Sequence, residues 1–361
     1  MDFTHTETRR MLADTVERYL RDKYPLAPRV EAGNSDTGFQ PAQYEALAEL
    51  GVIAALFSED QGGFGGEGFD IAVVFEELGK RLVNEPVLDS ALVPGTILAA
   101  AGNTDALEEV MAGAARYALA AEEPQALYDL TDVETTATAA GDGFTLTGTK
   151  TVVKYADGAA GYIVSAQNGG KVSLFLATEG ERRDYTTSDG GRASELTFTN
   201  TPATLLIEDG AAALEDASNR AIVALSAEAL GIMQTIREMT IEYLRTRKQF
   251  GIVIGKFQAL QHRMAEMLLE IEQARSAVIN AANALTSKSG TEQARILAAT
   301  KYSIGRIGRL VAEESIQMHG GIGMTWEYDL GHYAKRLIMI DHEWGDQDFH
   351  LARFIDLGKA A

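Results

Sequence analysis

Long runs of apolar residues at three- and four-residue spacing, sustained from Asp216 towards the C-terminus, constrain the fold more than any other feature of this sequence. Ile222, Leu225, Ala229, Ile232, Met233 and Ile236 form one stripe; Leu260, Met264, Met267, Leu268, Ile271, Ala274 and Val278 form the next. The spacing predicts five helices: Asn219 to Thr246, Phe257 to Leu285, Thr291 to Met318, Gly331 to Ile340 and Gly345 to Leu357. Stripes of this length joined by short turns belong in a bundle. Between the first two lies Arg245-Thr-Arg-Lys-Gln-Phe-Gly251, then Gly255. Cations suit a helix C-terminus, and the glycines turn the chain back into an antiparallel partner.

Upstream, Thr6 to Tyr24, Pro41 to Leu56, Ile71 to Leu82, Leu88 to Ala101 and Thr104 to Ala114 also carry helical periodicity. At Tyr117 the texture changes. Val133 to Ala139, Phe144 to Val153, Tyr162 to Ala166, Val172 to Ala177 and Glu195 to Thr199 are short alternating or β-branched runs. Gly141-Asp-Gly143, Asn168-Gly-Gly170 and Asp189-Gly-Gly191 punctuate them. The expected fold is therefore α+β, with an N-terminal helical domain (1–116), a middle β-barrel domain (117–215) and a C-terminal helical bundle (216–361). Neither a strand within 219–320 nor a parallel pairing is expected. Gly63, Gly65 and Gly68 match a dinucleotide glycine spacing but follow no strand, so they are read as a loop.

A net charge of −20, from 32 basic and 52 acidic residues, argues against nucleic-acid and anionic-membrane partners. With no cysteine there is neither a disulfide nor thiolate chemistry. Met1 to Arg9 carries no basic apolar leader, and no apolar run reaches membrane-spanning length, so a cytoplasmic protein is expected. His342, Asp346 and His350 are spaced four apart, but Gly345 interrupts any shared helix, so no metal is expected. His5, His262 and His332 have no nucleophile partner in the sequence, which removes support for hydrolase chemistry.

The second motif of interest is Gln317-Met-His-Gly-Gly-Ile-Gly-Met324, at the end of the third bundle helix. Its glycines allow backbone to approach a ligand, and an arginine fork suits a pyrophosphate. Together with Arg247-Lys-Gln-Phe-Gly251 it resembles the acyl-CoA dehydrogenase family of flavoproteins. The resemblance covers the whole chain in length and order, and is greatest to the small subunit of pimeloyl-CoA dehydrogenase and related heteromeric enzymes. It implies FAD as cofactor, an acyl-CoA substrate drawn from fatty-acid or steroid side-chain degradation, and electron-transfer flavoprotein as electron acceptor. It also implies that Arg247, Phe250, Gln258, Gln317, Gly320 and Gly321 contact the flavin of a neighbouring subunit.

The resemblance fails in three places. A Thr-Glu-Pro-Gly-Ala-Gly-Ser-Asp-like segment of the family reads Ala121-Glu-Glu-Pro-Gln-Ala-Leu-Tyr-Asp129 here. A Lys-x-Trp-Ile-Thr-Asn segment reads Lys150-Thr-Val-Val-Lys-Tyr155, with Val152 and Lys154 where an aromatic and a threonine contact the isoalloxazine. The usual basic carboxylate of Tyr-Glu-Gly-Thr falls at Trp344 of Glu343-Trp-Gly-Asp346, while the alternative base position of some relatives falls near Ala221. Glu343 is the remaining candidate base, one residue and about 100° out of place if the local backbone is helical; Glu228 lies too far along its helix. Three functions follow as expectations. One is the small subunit of a heterotetramer of two small and two large chains, completing the flavin site of a homologous large subunit. The second is a self-sufficient homotetrameric dehydrogenase with an atypical base, and the third a flavin-free acyl-CoA-binding or structural subunit.

Overall fold

The computed structural model describes residues 5–141 and 143–359. The first four residues of the N-terminal helical segment, Asp142 of the Gly141–Gly143 turn, and the last two residues of the bundle segment lie outside them. In chain order, helices α1 (Glu7–Lys23), α2 (Leu26–Gly33), α3 (Pro41–Glu49), α4 (Gly68–Lys80), α5 (Val93–Ala100) and α6 (Thr104–Met111) come first. Strands β1 (Tyr117–Ala120), β2 (Thr136–Ala140), β3 (Gly143–Lys154), β4 (Gly161–Asn168), β5 (Lys171–Ala177), β6 (Glu181–Thr186) and β7 (Arg192–Ile207) follow. The remainder is α7 (Ala211–Thr246), a hairpin of β8 (Lys248–Gln249) and β9 (Ile252–Val253), then α8 (Gln258–Ser287), α9 (Gly290–His319), α10 (Leu330–Asp341) and α11 (Gln347–Lys359). They form two compact units, one of Ala27–Gly66 and Asn84–Ala221, the other of Met1–Leu26, Glu67–Val83 and Ile222–Ala361.

The first unit holds the barrel. β4 pairs with β2 and β5, β5 with β7, β7 with β3 and β3 with β2, so the ring closes, with β1 added on β4 and β6 on β7. Alternation drives it: one face of the strands puts Leu146, Val164, Phe175, Leu196 and Phe198 into a shared core, the other face staying polar on β3 and β7 but burying Ile163 and Leu174 on β4 and β5. Closure leaves few unpaired edges, and the highly charged β6 protects β7. That charge is also why Glu181-Arg-Arg-Asp does not read as a strand in the sequence.

Two expectations about strands are corrected. β1 runs parallel to β4, from Tyr117↔Gly161 to Ala120↔Val164, and β2 makes one parallel pairing with it, Thr136↔Gln167. The long β1–β4 connection, which contains the β2–β3 hairpin, supplies the crossover that parallel pairing demands. The helical stretch 219–320 is also interrupted, because the turn after α7 is itself a two-stranded hairpin, Lys248↔Val253 and Gln249↔Ile252.

The second unit is built around α7, whose residues from Ile222 to Met233 are all buried. Full burial of each Leu, Ile or Met there contributes roughly 1.5–3 kcal/mol. Small residues let neighbouring backbones close in. A Cβ on Gly79 of α4 would collide with the Glu228 carbonyl of α7, and one on Gly231 of α7 with the Glu76 carbonyl of α4. The two glycines thus fit the helices against each other reciprocally. Thr235 and Tyr333 hydroxyls then donate to the Lys80 carbonyl, at 3.0 and 3.1 Å, satisfying the end of α4. Among the described residues no helix is long and apolar enough to cross a membrane.

Candidate functional site

Within the helical unit, Tyr243 near the end of α7 stacks on His319 at the end of α9, with ring centroids 4.4 Å apart, and Tyr328 packs on both. This aromatic contact brings together the two motifs singled out in the sequence. Arg247 lies four residues beyond Tyr243, and Gln317, Gly320 and Gly321 flank His319. Burial lowers the His319 pKa, against the pull of the Ser315 carbonyl 2.8 Å from its Nδ1, so the ring is a neutral packing element.

The Arg247 backbone is fixed on both sides. Its amide donates to Tyr243, and its carbonyl accepts from Ile254 at 2.8 Å, extending the β8–β9 hairpin. Its side chain is exposed and, among the described residues, has no hydrogen-bond or ion-pair partner. The hairpin loop is Phe250-Gly251, with φ of 53° and 81°. Two positive φ values in a two-residue loop call for Asn-Gly or Gly-Gly, yet the first position holds phenylalanine with 91 % of its surface exposed. A strained aromatic held out in water costs stability locally. Gln258 opens α8 and is exposed. Gly320 caps α9 at φ 66° and ψ −144°, a conformation only glycine takes easily. Nothing lies within 4 Å of a Cβ built on Gly320 or Gly321. Ile322, Met324 and Trp326 extend this end of the unit as further exposed apolar surface, with Lys335 Nζ 3.7 Å over the Trp326 ring.

Glu343 and Trp344 stand elsewhere. Lys301, which touches their corner, lies 18 residues before His319 on α9, roughly 27 Å along the helix. The corner is tied by three side chains from three helices. Lys301 Nζ donates to the carbonyls of Ile340, Asp341 and Gly345 at 2.9, 2.9 and 2.6 Å. His350 Nε2 sits 2.8 Å from the Trp344 carbonyl. Arg336 holds both oxygens of Glu343, at 2.8 and 3.3 Å, and both of Glu228, at 2.6 and 2.9 Å. All three side chains of that cluster are at least 86 % removed from solvent, so Glu343 is engaged in an ion pair rather than presented to a substrate. Trp344 itself adopts φ 58° and is half-buried. Burial lowers Lys301 to about 8, and His350 to about 4. Sequence spacing gave no sign of Arg336, Lys301 or His350 as determinants of this corner, since Lys301 and His350 act on backbone carbonyls and one of the two acids on Arg336, Glu228, is 108 residues away. Ala221 is fully buried. Among the described residues no His, Asp or Glu group could hold a metal ion; α10 ends before His342, and His350 turns its Nε2 to the Trp344 carbonyl.

In the barrel unit, Ala121–Asp129 and Lys150–Tyr155 are neighbours, joined where the Thr151 amide donates to the Glu122 carbonyl at 2.9 Å. Beneath them Lys150 Nζ bonds Glu123 Oε1 at 2.6 Å and Ser165 Oγ at 2.8 Å, and Glu123 also accepts from the Glu134 and Thr135 amides. Burial alone would raise the Glu123 carboxyl, but hydrogen bonds from Lys150, Thr135 and Gln125 outweigh it and hold it well below the ordinary range. Burial lowers Lys150 against the opposing pull of Glu123. The pair therefore serves the barrel. On the outside, Leu127 at φ 50° and Val152 at φ 52° are exposed, the latter at a bulge between Lys150 and Val153. A β-branched residue there is a genuine backbone outlier.

Comparison with known proteins agrees with this geometry. Residues 6–117 match the model of the acyl-CoA dehydrogenase N-terminal domain, and residues 208–348 that of the acyl-CoA dehydrogenase C-terminal domain. The chain is 31% identical over 339 residues to the acyl-CoA dehydrogenase IpdE2 of Mycobacterium tuberculosis, covering 92% of each. It superposes on a variant of the Tcur3481-Tcur3483 steroid ACAD with a TM-score of 0.90 at 28% identity, over 98% of this chain and 99% of that one. The ChsE4-ChsE5 complex from Mycobacterium tuberculosis gives a TM-score of 0.90 over 100% of both chains, and at 21% identity it attests the fold alone. With both terminal domains matched and a relative of this identity along nearly its whole length, the chain belongs to the acyl-CoA dehydrogenase family of oxidoreductases.

Proposed function

We propose that this chain is the small subunit of a heteromeric acyl-CoA dehydrogenase, completing a flavin site seated mainly in a homologous large subunit. In this reading it works as three domains, 1–116, 117–215 and 216–361, in an assembly of two small and two large chains. The observation that carries the reading is a contrast within one chain. The lending end is offered to a partner: Arg247 without a counter-charge, Phe250 strained and exposed, Gly320 and Gly321 open. The chain's own candidate base, Glu343, is by contrast tied to Arg336.

The residues present fit FAD at one end of the chain and not at the other. Arg247 would hold a phosphate through its fork, the Gly320-Gly321 backbone would approach the nucleotide closely, and Gln258 and Gln317 would supply directional amide bonds. Ala121–Asp129 offers two glutamates and an exposed leucine, without glycine, serine or threonine, and Val152 and Lys154 replace the expected ring contacts. When bound, FAD supplies the hydride acceptor for α,β-dehydrogenation of the thioester. This chain's part is to bind and orient; Phe250 would exclude water from the cofactor's edge. The proton of the thioester α-carbon needs a carboxylate that Trp344 cannot replace. That group belongs to the large subunit. The steroid description of one structural relative favours a bulky acyl group, with electron-transfer flavoprotein as the acceptor.

The test is expression with and without the homologous chain encoded closest to it, each with Glu343→Gln. Dehydrogenation only on co-expression, insensitive to Glu343→Gln, is the expected result. Activity of this chain alone, abolished by Glu343→Gln, would replace the proposal with a self-sufficient enzyme whose base is Glu343.

A further inference from the structure

In the barrel unit, one enclosed nitrogen of a half-buried arginine and the hydroxyl of a buried tyrosine have no hydrogen-bond partner. Arg116, just before β1, lays its guanidinium over the Phe39 ring at 4.9 Å and donates from one terminal nitrogen to the Asp157 carbonyl at 3.0 Å. Its other terminal nitrogen is shut away from solvent with no hydrogen-bond partner. Tyr44 of α3 packs edge-on against the same Phe39, at 6.1 Å, and its hydroxyl is likewise enclosed and unpartnered, the residue being 2 % exposed. The acidic groups nearby are committed elsewhere: the Asp157 carboxylate binds Arg182, and the Tyr155 hydroxyl donates to Asn84. Burial lowers the Arg116 pKa, and the strongest opposing pull on it comes from Tyr44 rather than from Asp157. Burial pushes the Tyr44 hydroxyl well above its ordinary value, with Arg116 opposing.

A guanidinium N–H can only donate, and a phenol so strongly raised stays protonated and donates as well. Leaving either buried and unmet is costly, the charged one more so. A water there could accept from both, or accept from Arg116 and donate to the Tyr44 oxygen, but either arrangement leaves two hydrogens without an acceptor. A ligand that only accepts satisfies the pair and neutralises the cation.

We propose that Arg116 and Tyr44 close on a small anion, a halide or a single carboxylate oxygen, which pins α3 to the start of β1 in the barrel unit. The site does not depend on flavin, thioester or a partner chain.

The test uses the full chain, with chloride and bromide as probes. Thermal midpoints are followed as chloride replaces gluconate at constant ionic strength; a saturating rise of roughly 2–4 °C is expected. Acetate in the same series distinguishes a carboxylate from a halide. Arg116→Gln and Tyr44→Phe should each abolish the saturable part. In crystals grown with bromide, anomalous scattering should place the ion between the free Arg116 nitrogen and the Tyr44 oxygen, a readout that needs no variant. A midpoint indifferent to anion identity, an unchanged rise in Arg116→Gln, or a water in place of bromide would each overturn the proposal.

Discussion

Replacing Arg336 by Met should destabilise this protein far more than replacing either acid beside it. Arg336 binds both Glu228 and Glu343, each through two hydrogen bonds of 2.6–3.3 Å. The side chains are 14 %, 9 % and 8 % exposed, so water screens the cluster weakly. Arg336→Met removes the guanidinium shared by two buried carboxylates, and breaking a buried pair in this way costs about 3–5 kcal/mol. Glu343→Gln leaves the Arg336–Glu228 pair intact and neutralises the surplus acid; its cost is the weakening of charge-assisted bonds, about 1–2 kcal/mol. Urea denaturation followed by far-UV circular dichroism, with the triple variant Arg336→Met, Glu228→Leu and Glu343→Leu, measures both. The triple variant should recover much of what the single change loses. If Arg336→Met cost no more than Glu343→Gln, the corner would not be held by this ion cluster, and Glu343 would return as a candidate base.

Further outcomes follow from the same geometry. Gly231→Ala should cost more than 2 kcal/mol by urea denaturation, since the added methyl meets the Glu76 carbonyl and both helices must separate, overpacking ordinarily costing about 1–3 kcal/mol. His350 stays neutral in the fold down to about 4, while the unfolded chain takes up that proton near 6.5. The unfolded state therefore binds more protons between these values, and stability falls as pH drops through that window, by about 3 kcal/mol in all. Denaturation midpoints from pH 7 to pH 4 should be less pH-dependent in His350→Gln; an unchanged slope would contradict the assignment. Arg247→Ala should weaken flavin retention by the assembled complex by about 1.5–3 kcal/mol, roughly 10- to 150-fold, read by flavin absorbance after dialysis.

Much of this was legible in the sequence because periodicity and glycine punctuation act locally. The bundle helices fall within a few residues of the apolar stripes that announce them, apart from the start of α7, where Ala211-Ala-Ala-Leu-Glu-Asp gives helix-forming residues without a stripe. β1 was hidden because four residues are too few for alternation, and β6 because an edge strand carries its charges outward. The proposed lending residues come from resemblance, and geometry adds what residue identity cannot carry: the left-handed Phe250, the exposed Arg247, the open Gly320-Gly321 backbone. The ties on the Trp344 corner were illegible for another reason. Lys301 and Arg336 reach groups tens of residues away or more, the His350 contact is to a backbone carbonyl, and a buried lysine that bonds three carbonyls has no sequence signature.

The measurement that bears most directly on the subunit assignment is flavin stoichiometry. This chain purified alone should hold essentially no FAD. Co-purified with its homologous large subunit it should carry one FAD per pair of unlike chains, and lose it in the complex formed with Arg247→Ala. One FAD per monomer in this chain alone would contradict the account, showing that Ala121–Asp129 and Lys150–Tyr155 still make a working cradle.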